Sequence, residues 1–426
     1  MKNHLLLTVA IVSGLFSCQS PSPSSENTAY QGQPPSPRVS TVTKPIVANN
    51  NQTYTLPGGI YASSAFLGGR LNGIAQSNDT LYTAIINPEN APINPSAWYA
   101  FKLWADAPKT IWLRLTYMVG QHRYWPKQST DGQSWSALDT TRVIIENQGV
   151  ERFGTGSQAE SALLKLDLTA DTLWLAAQEI QTTREVFAWM DSKVTPGRVD
   201  TLTLGYSREG RPLRAMKIGN ATADRLVMVI SRQHPPEVTG YLAMKGFIDE
   251  IVSDSELTDK FLYQYTLYVV PLMNPDGVDG GHWRHNSGGI DLNRDWADFN
   301  QPETRTVRDL MLDQAAQGKH WDFAIDFHST WDDIYYTLPD SLSGSLPRLV
   351  SRWLDSLQVK LPGPKPTIRP TKNIEPTMVS RNYFYKQFNT EAIVFELGDN
   401  TDRDFLKLKG EVAAQELMKL MLSYHE

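Results

Sequence analysis

The sequence has one cysteine, Cys18, in 426 residues. A lone thiol closes no disulfide within the chain. There is no dense basic patch, and the formal net charge is −6, which argues against nucleic acid as a partner. No internal repeat is visible. The apolar run from Leu5 to Phe16 is too short to span a bilayer comfortably. What remains is ordinary for a soluble globular protein: 41% apolar and 20% charged residues. The length suggests two domains. Twelve Trp and seventeen Tyr fit a β-rich portion or an aromatic-lined cleft.

The place of the cysteine is informative. Met1-Lys2-Asn3-His4 is a short basic start, the apolar run follows it, and Leu15-Phe16-Ser17-Cys18 resembles a bacterial lipoprotein cleavage box. Residues 1–17 read as an export signal, with lipid on the Cys18 thiol holding the mature chain at the cell envelope. The alternative is an ordinary signal with an incidental cysteine. Residues 18–50 are rich in Ser, Pro, Asn, Gln and Thr and read as a flexible tether.

Residues 51–192 carry strand patterns without a convincing amphipathic helix. Ile111, Leu113, Leu115 and Tyr117 alternate with Trp112, Arg114 and Thr116; Trp98 to Trp104 and Leu164 to Leu168 behave similarly. Turn residues recur between them, which predicts an antiparallel β-sandwich. Residues 193–426 alternate strand signals (Leu226 to Ile230, Tyr265 to Leu272, Phe323 to Phe327, Ala392 to Leu397) with helix signals (Val238 to Val252, Glu303 to Gln314, Ser345 to Gln358, Phe405 to Tyr424). That alternation predicts an α/β domain, a mixed sheet layered between helices. Ligands of such sheets gather at the carboxyl ends of the strands.

Chemistry concentrates at those ends. His234 and Glu237 follow the strand ending at Ile230. Three residues apart, they can turn an imidazole nitrogen and a carboxylate oxygen toward one ion. His328 ends the strand from Phe323. Glu396 sits between Phe395 and Leu397 in a strand otherwise apolar, where a carboxylate must have a partner or a purpose. His234, Glu237 and His328 make a mixed N/O set for one zinc with a position left for water. Glu396 can take a proton from that water and give it to a leaving amine. Arg284, in His282-Trp283-Arg284-His285-Asn286, can stabilise a developing oxyanion. Asn293 and Arg294 can hold a terminal carboxylate by forked, charge-assisted hydrogen bonds. Each residue alone has a structural use; the ordered set points to a peptide hydrolase of the metal type acting from the carboxyl end.

The set resembles the zinc-dependent metallocarboxypeptidase family over about residues 195–426, and the strings Asn274-Pro275-Asp276-Gly277-Val278 and Asp291-Leu292-Asn293-Arg294-Asp295-Trp296 resemble its cytosolic-carboxypeptidase branch. The resemblance implies one zinc on His234, Glu237 and His328, Glu396 as catalytic base, Arg284 at the oxyanion, and Asn293 with Arg294 on the carboxylate of a peptide or protein C-terminus. The family's substrate-capping tyrosine has no counterpart between Leu338 and Asn382, so that role is either unfilled or taken by Tyr383 or Tyr385 at a shifted position. Arg381, fifteen residues before Glu396, falls near the family's pocket floor and implies a cationic pocket for an acidic terminal residue. The alternatives are a cell-wall peptide amidase or carboxypeptidase of the same fold, and an inactive relative that grips carboxylates.

Overall fold

Alternation becomes structure most directly at Lys109–Tyr117, a strand in which Ile111, Leu113, Leu115 and Tyr117 are buried and their neighbours are not. The computed structural model describes residues 37–148, 159–342 and 344–425. The expected export signal, Cys18 and residues 18–36 of the expected tether lie outside them. Two sheets form in the first part of the described chain. One has the order Thr53–Leu56, Ile60–Ser63, Ala100–Ala105, Leu173–Ala176, Lys127–Ser129, Ser136–Ala137; the other has Gly73–Gln76, Leu81–Ile86, Lys109–Tyr117, Ala159–Leu168, Val143–Gln148. Phe101 and Leu103 of the first share a core with Leu113, Leu115 and Leu164 of the second. The sandwich departs from the expected antiparallel pattern at one pair, Leu81–Ile86 with Lys109–Tyr117, which runs parallel. Between those strands the chain crosses to the other sheet as Ala100–Ala105 and returns in the same direction, as a parallel pair requires.

Two further expectations change here. The tether, drawn to residue 50, is bound into the fold well before that point. Thr41 is buried and its carbonyl accepts from Gln301 Nε2 at 2.7 Å; Lys44 N donates to Gly288 O, and Val47 N to Glu89 O. Its polar backbone finds partners where its side chains could not supply a core. A helix, Thr183–Ser192, also occupies the end of the stretch read as all-β. Its start was signalled by Thr182-x-x-Glu185, whose Glu185 Oε2 accepts from Thr182 N at 2.9 Å. Val186, Trp189 and Met190 pack into the core of the following α/β part, not into the sandwich.

That part holds an eight-stranded sheet in the order Val199–Tyr206, Pro212–Gly219, Tyr265–Val270, Arg225–Ser231, His320–Thr330, Glu391–Gly398, Ile334–Thr337, Thr367–Pro370. Its four central strands are mutually parallel, so their carboxyl ends share one edge. Alternate residues go to opposite faces. Val227, Val229, Phe323, Ile325, Phe327 and Phe395 meet Phe247, Trp353 and Leu417, from the helices Val238–Ile251, Leu349–Lys360 and Arg403–Leu422. Leu226, Met228, Ile230, Ala324 and Ala392 meet Met311 of Pro302–Ala316 and Phe384 of Ser380–Phe388. The sheet is therefore mixed and layered between helices, as expected. The helix expected from Ser345 begins only at Leu349, after Pro347 and the left-handed Arg348 (φ 62°).

Candidate metal centre and active-site cleft

The edge where the parallel strands end carries the centre. His328 and Glu396 are register partners on adjacent strands and so leave the sheet on the same face. His234 and Glu237 lie in the turn between Arg225–Ser231 and the helix Val238–Ile251. That helix can approach because Gly240 has no side chain: a Cβ there would meet His328 O at 2.4 Å. Glu237 Oε1 lies 2.8 Å from His234 Nδ1, and its Oε2 lies 2.6 Å from His328 Nδ1. The two Nδ1 atoms are 3.2 Å apart. One donor atom from each of the three residues lies within 4.8 Å of the others, a spacing that a cation with bonds of about 2 Å can span.

The outer ring nitrogens are held by carboxylates. His234 Nε2 lies 2.8 Å from Asp291 Oδ1, and His328 Nε2 lies 2.9 Å from Asp326 Oδ2. Asp326 Oδ2 also accepts from Gln233 Nε2 at 2.6 Å and Ser380 Oγ at 2.5 Å; Trp296 Nε1 fixes Gln233 in turn at 2.9 Å. Carboxylates behind imidazoles orient the ring and raise its basicity, which is what a metal ligand needs. The inward-facing Nδ1 pair, the shared carboxylate and the braced Nε2 atoms fit a zinc ion.

The two glutamates differ in their surroundings. Burial would raise Glu237, but the imidazoles of His234 and His328 hold it well below the usual carboxylate range. Burial and the neighbouring charge of Glu237 push Glu396 up to about 7, against the pull of His328, His234 and Arg123. His328 behaves oppositely. Burial would lower it, yet Asp326 and Glu237 draw it well above the usual imidazole range. A field that favours a proton there also favours a cation.

His234, Glu237, Glu396, Arg284, Asn293, Arg294 and Arg381 line one cavity of about 410 Å³, with His328 buried beside it. Arg284 Nε donates to Asp291 Oδ2 at 2.8 Å, so a single carboxylate braces both His234 and the expected oxyanion residue. Asn293 Oδ1 accepts from Ser380 N at 2.9 Å, and Arg294 Nη1 donates to Asn293 O at 2.8 Å. Arg381 stands in the first turn of Ser380–Phe388.

Of the two alternatives for the capping tyrosine, a shifted Tyr383 or Tyr385 does not hold. Tyr383 is buried against Phe299, with ring centroids 4.8 Å apart, and against Trp296 at 5.8 Å. Neither it nor Tyr385 lines the cavity, whereas Tyr336 does. The helical turn that carries Tyr383 aims it at the sheet, where an aromatic ring gains more from burial.

Sequence reasoning missed the bracing layer and one wall. Asp326 was findable, since a residue two before His328 on a strand shares its face. Asp291 stood in a quoted string without a role. Arg369, on the edge strand, and Tyr336, on the strand beside it, also line the cavity. So do Asn94, Pro95 and Arg123 from the sandwich. Arg123 is buried and paired with Asp399, Nε to Oδ2 at 2.7 Å; its Nη2 reaches Ser329 O at 3.2 Å and its Nη1 reaches Ser96 Oγ at 3.0 Å. No local pattern marks such a residue.

Comparison with known proteins agrees with this geometry. Residues 186–348 match the family model described as zinc carboxypeptidase. An uncharacterised protein of Zymomonas mobilis is 25% identical over 273 residues, 62% of this chain and 66% of that protein. Cytosolic carboxypeptidase 2 of Xenopus tropicalis is 43% identical over 76 residues, 17% of this chain and 7% of that one. The chain thus spans just under two thirds of the first relative and a small part of the second. A metallo-carboxypeptidase structure from Burkholderia cenocepacia superposes with a TM-score of 0.70 at 18% identity, covering 86% of this chain and all of that one. It shares the fold, sandwich included.

Proposed function

We propose that this chain, whose residues 186–348 match the zinc carboxypeptidase family model, removes the terminal residue from the carboxyl end of peptides or proteins and prefers that residue to be acidic. The observation that carries the reading is the three-ligand cluster of His234, Glu237 and His328, in one cavity with Glu396, Arg284, Asn293 and Arg294. Zinc, when bound, supplies the Lewis acidity that makes a water nucleophilic near neutral pH.

The residues divide the remaining work. Arg294 is the charged donor for the substrate's terminal carboxylate, with Asn293 beside it. Arg284, buried and braced by Asp291, is placed to receive negative charge as the scissile carbonyl becomes tetrahedral. Glu396 takes the proton of the attacking water and returns it to the departing amide nitrogen. Its local environment, poorly hydrated and beside Glu237, suits a base that must both accept and release a proton. The acidic preference is supported by Arg381 and Arg369, both of which line the cavity.

Matched peptides ending in Glu, Leu and Lys, incubated with and without a chelator and read by mass spectrometry, test both parts. Release of single terminal residues that stops on chelation is expected, with Glu leaving at least about tenfold faster than Leu or Lys. Equal rates remove the acidic preference. Cuts at interior bonds, or release that ignores the chelator, remove the whole reading.

A further inference from the structure

The sandwich places a buried carboxylate against the loop that carries Arg284. Glu89 has no exposed surface. Its Oε2 accepts from Trp283 N at 2.8 Å, and its Oε1 accepts from Arg284 N at 3.1 Å and His285 N at 2.7 Å. Three successive amides on one carboxylate fix the backbone at the residue whose side chain must meet the oxyanion. Neighbouring sandwich residues hold the same loop. Asn90 Oδ1 pairs with His285 Nδ1 at 2.5 Å, and Asn90 Nδ2 donates to Gly289 O at 3.1 Å. Arg70, itself fully buried, donates from Nη1 to Gly281 O at 2.8 Å. The loop from Gly281 to Gly289 is thus gripped along its length by residues between the strands of the sandwich. From the other side Asp291 takes Arg284 Nε at 2.8 Å.

We infer that Glu89 is a positioning residue for the reaction: it sets the backbone from which Arg284 reaches the transition state, so the sandwich is part of the catalytic apparatus and not only a neighbouring module. The inference rests on the zinc carboxypeptidase reading of the cleft. Its physical basis is that a buried carboxylate with three amide donors has one orientation. A neutral amide in its place has one acceptor oxygen and turns an N–H₂ group toward a backbone N–H. The loop must then shift, and a guanidinium displaced by a fraction of its bond length to an oxyanion loses charge stabilisation in the transition state alone.

The test is Glu89→Gln in the full chain, compared with the parent, with Arg284→Ala, and with the double variant. In Glu89→Gln, kcat is expected to fall about tenfold or more while KM stays within about twofold and zinc content stays at the parent's level. In the Arg284→Ala background the same substitution is expected to cost almost nothing further, because its effect passes through Arg284. An independent structural role predicts the opposite, equal fold losses in both backgrounds, and that result overturns the inference; so does a Glu89→Gln enzyme with the parent's kcat. If Glu89→Gln does not fold, Asn90→Ala relaxes the same loop while leaving the three amide bonds of Glu89 in place. A kcat lowered severalfold at constant KM and zinc content then supports the inference, and an unchanged kcat overturns it. A parent with no chelator-sensitive release of terminal residues would instead sink the proposed function, and this inference with it.

Discussion

The two halves of the molecule bury polar groups in different places. In the sandwich, the shared core of the two sheets is made of Phe101, Leu103, Leu113, Leu115 and their apolar neighbours. Several of its buried polar groups, Arg70, Glu89 and Gln178, and the Arg123 side chain, only 7% exposed, instead bind the α/β half: Gly281 O, the amides from Trp283 to His285, Asp399 O, and the Asp399 carboxylate. In the α/β half, buried polar groups crowd the edge where the parallel strands end. A domain that merely sits beside an enzyme has no reason to bury charge toward it, since each buried ion costs several kcal/mol of hydration unless it is paired. The sandwich thus contributes to the site by holding it.

The sharpest contrast between the halves should come from Glu396→Gln and His234→Ala, measured for turnover and bound zinc. Glu396→Gln is expected to keep its zinc and lose about a thousandfold or more in kcat, and His234→Ala to lose both. Retained turnover in Glu396→Gln would place the chemistry elsewhere. Next in size is Arg123→Met, which leaves Asp399 buried without its partner. Loss of about 3–5 kcal/mol of stability is expected, in one cooperative denaturation transition that includes the zinc site. Separate unfolding of the sandwich, with the site intact, would break the comparison.

The smallest effect concerns Glu303, which accepts at 3.1 Å from Nδ2 of Asn286, a residue within the same loop that Glu89 grips. Burial pushes Glu303 up to about 7. For Glu89, burial pulls the same way, but His282, Arg70 and His285 bring it below the usual range. With its folded value above the unfolded one, Glu303 holds more protons in the native state. It therefore costs stability as pH rises from about 4.5 to about 7, by up to about 3 kcal/mol. Glu303→Gln should flatten denaturant-derived stability over that window; an unaltered slope would assign the dependence to other groups.

What the sequence revealed, and what it hid, follows the same division. His234, Glu237, His328 and Glu396 could be read because their side-chain chemistry is unusual for strand ends and apolar runs, and they do lie together. The central strands and their flanking helices were legible from periodicity. Strands such as Ile334–Thr337 and Thr367–Pro370 were not, being four residues each with too few positions to show a period. Tyr336 was overlooked because it lies before the stretch searched for a capping tyrosine. Arg123 and Asp399 are 276 positions apart, and a pairing over that distance leaves no mark on either neighbourhood. Glu89 is the same case: a glutamate beside Pro88 reads as a solvated turn until three amides close over it.

The order in which the pieces occur along the chain has a temporal consequence. Glu396 and Asp399 lie on or just after the last strand of the central sheet, and that strand is an inner one, flanked on both sides. A polypeptide made from its amino end would carry His234, Glu237 and His328 for some time before the proposed base and the partner of Arg123 arrive. Until then the sheet has a gap beside His328 and the cleft lacks Glu396. Until the fold is complete, a nascent molecule would lack the arrangement on which the proposed chemistry depends.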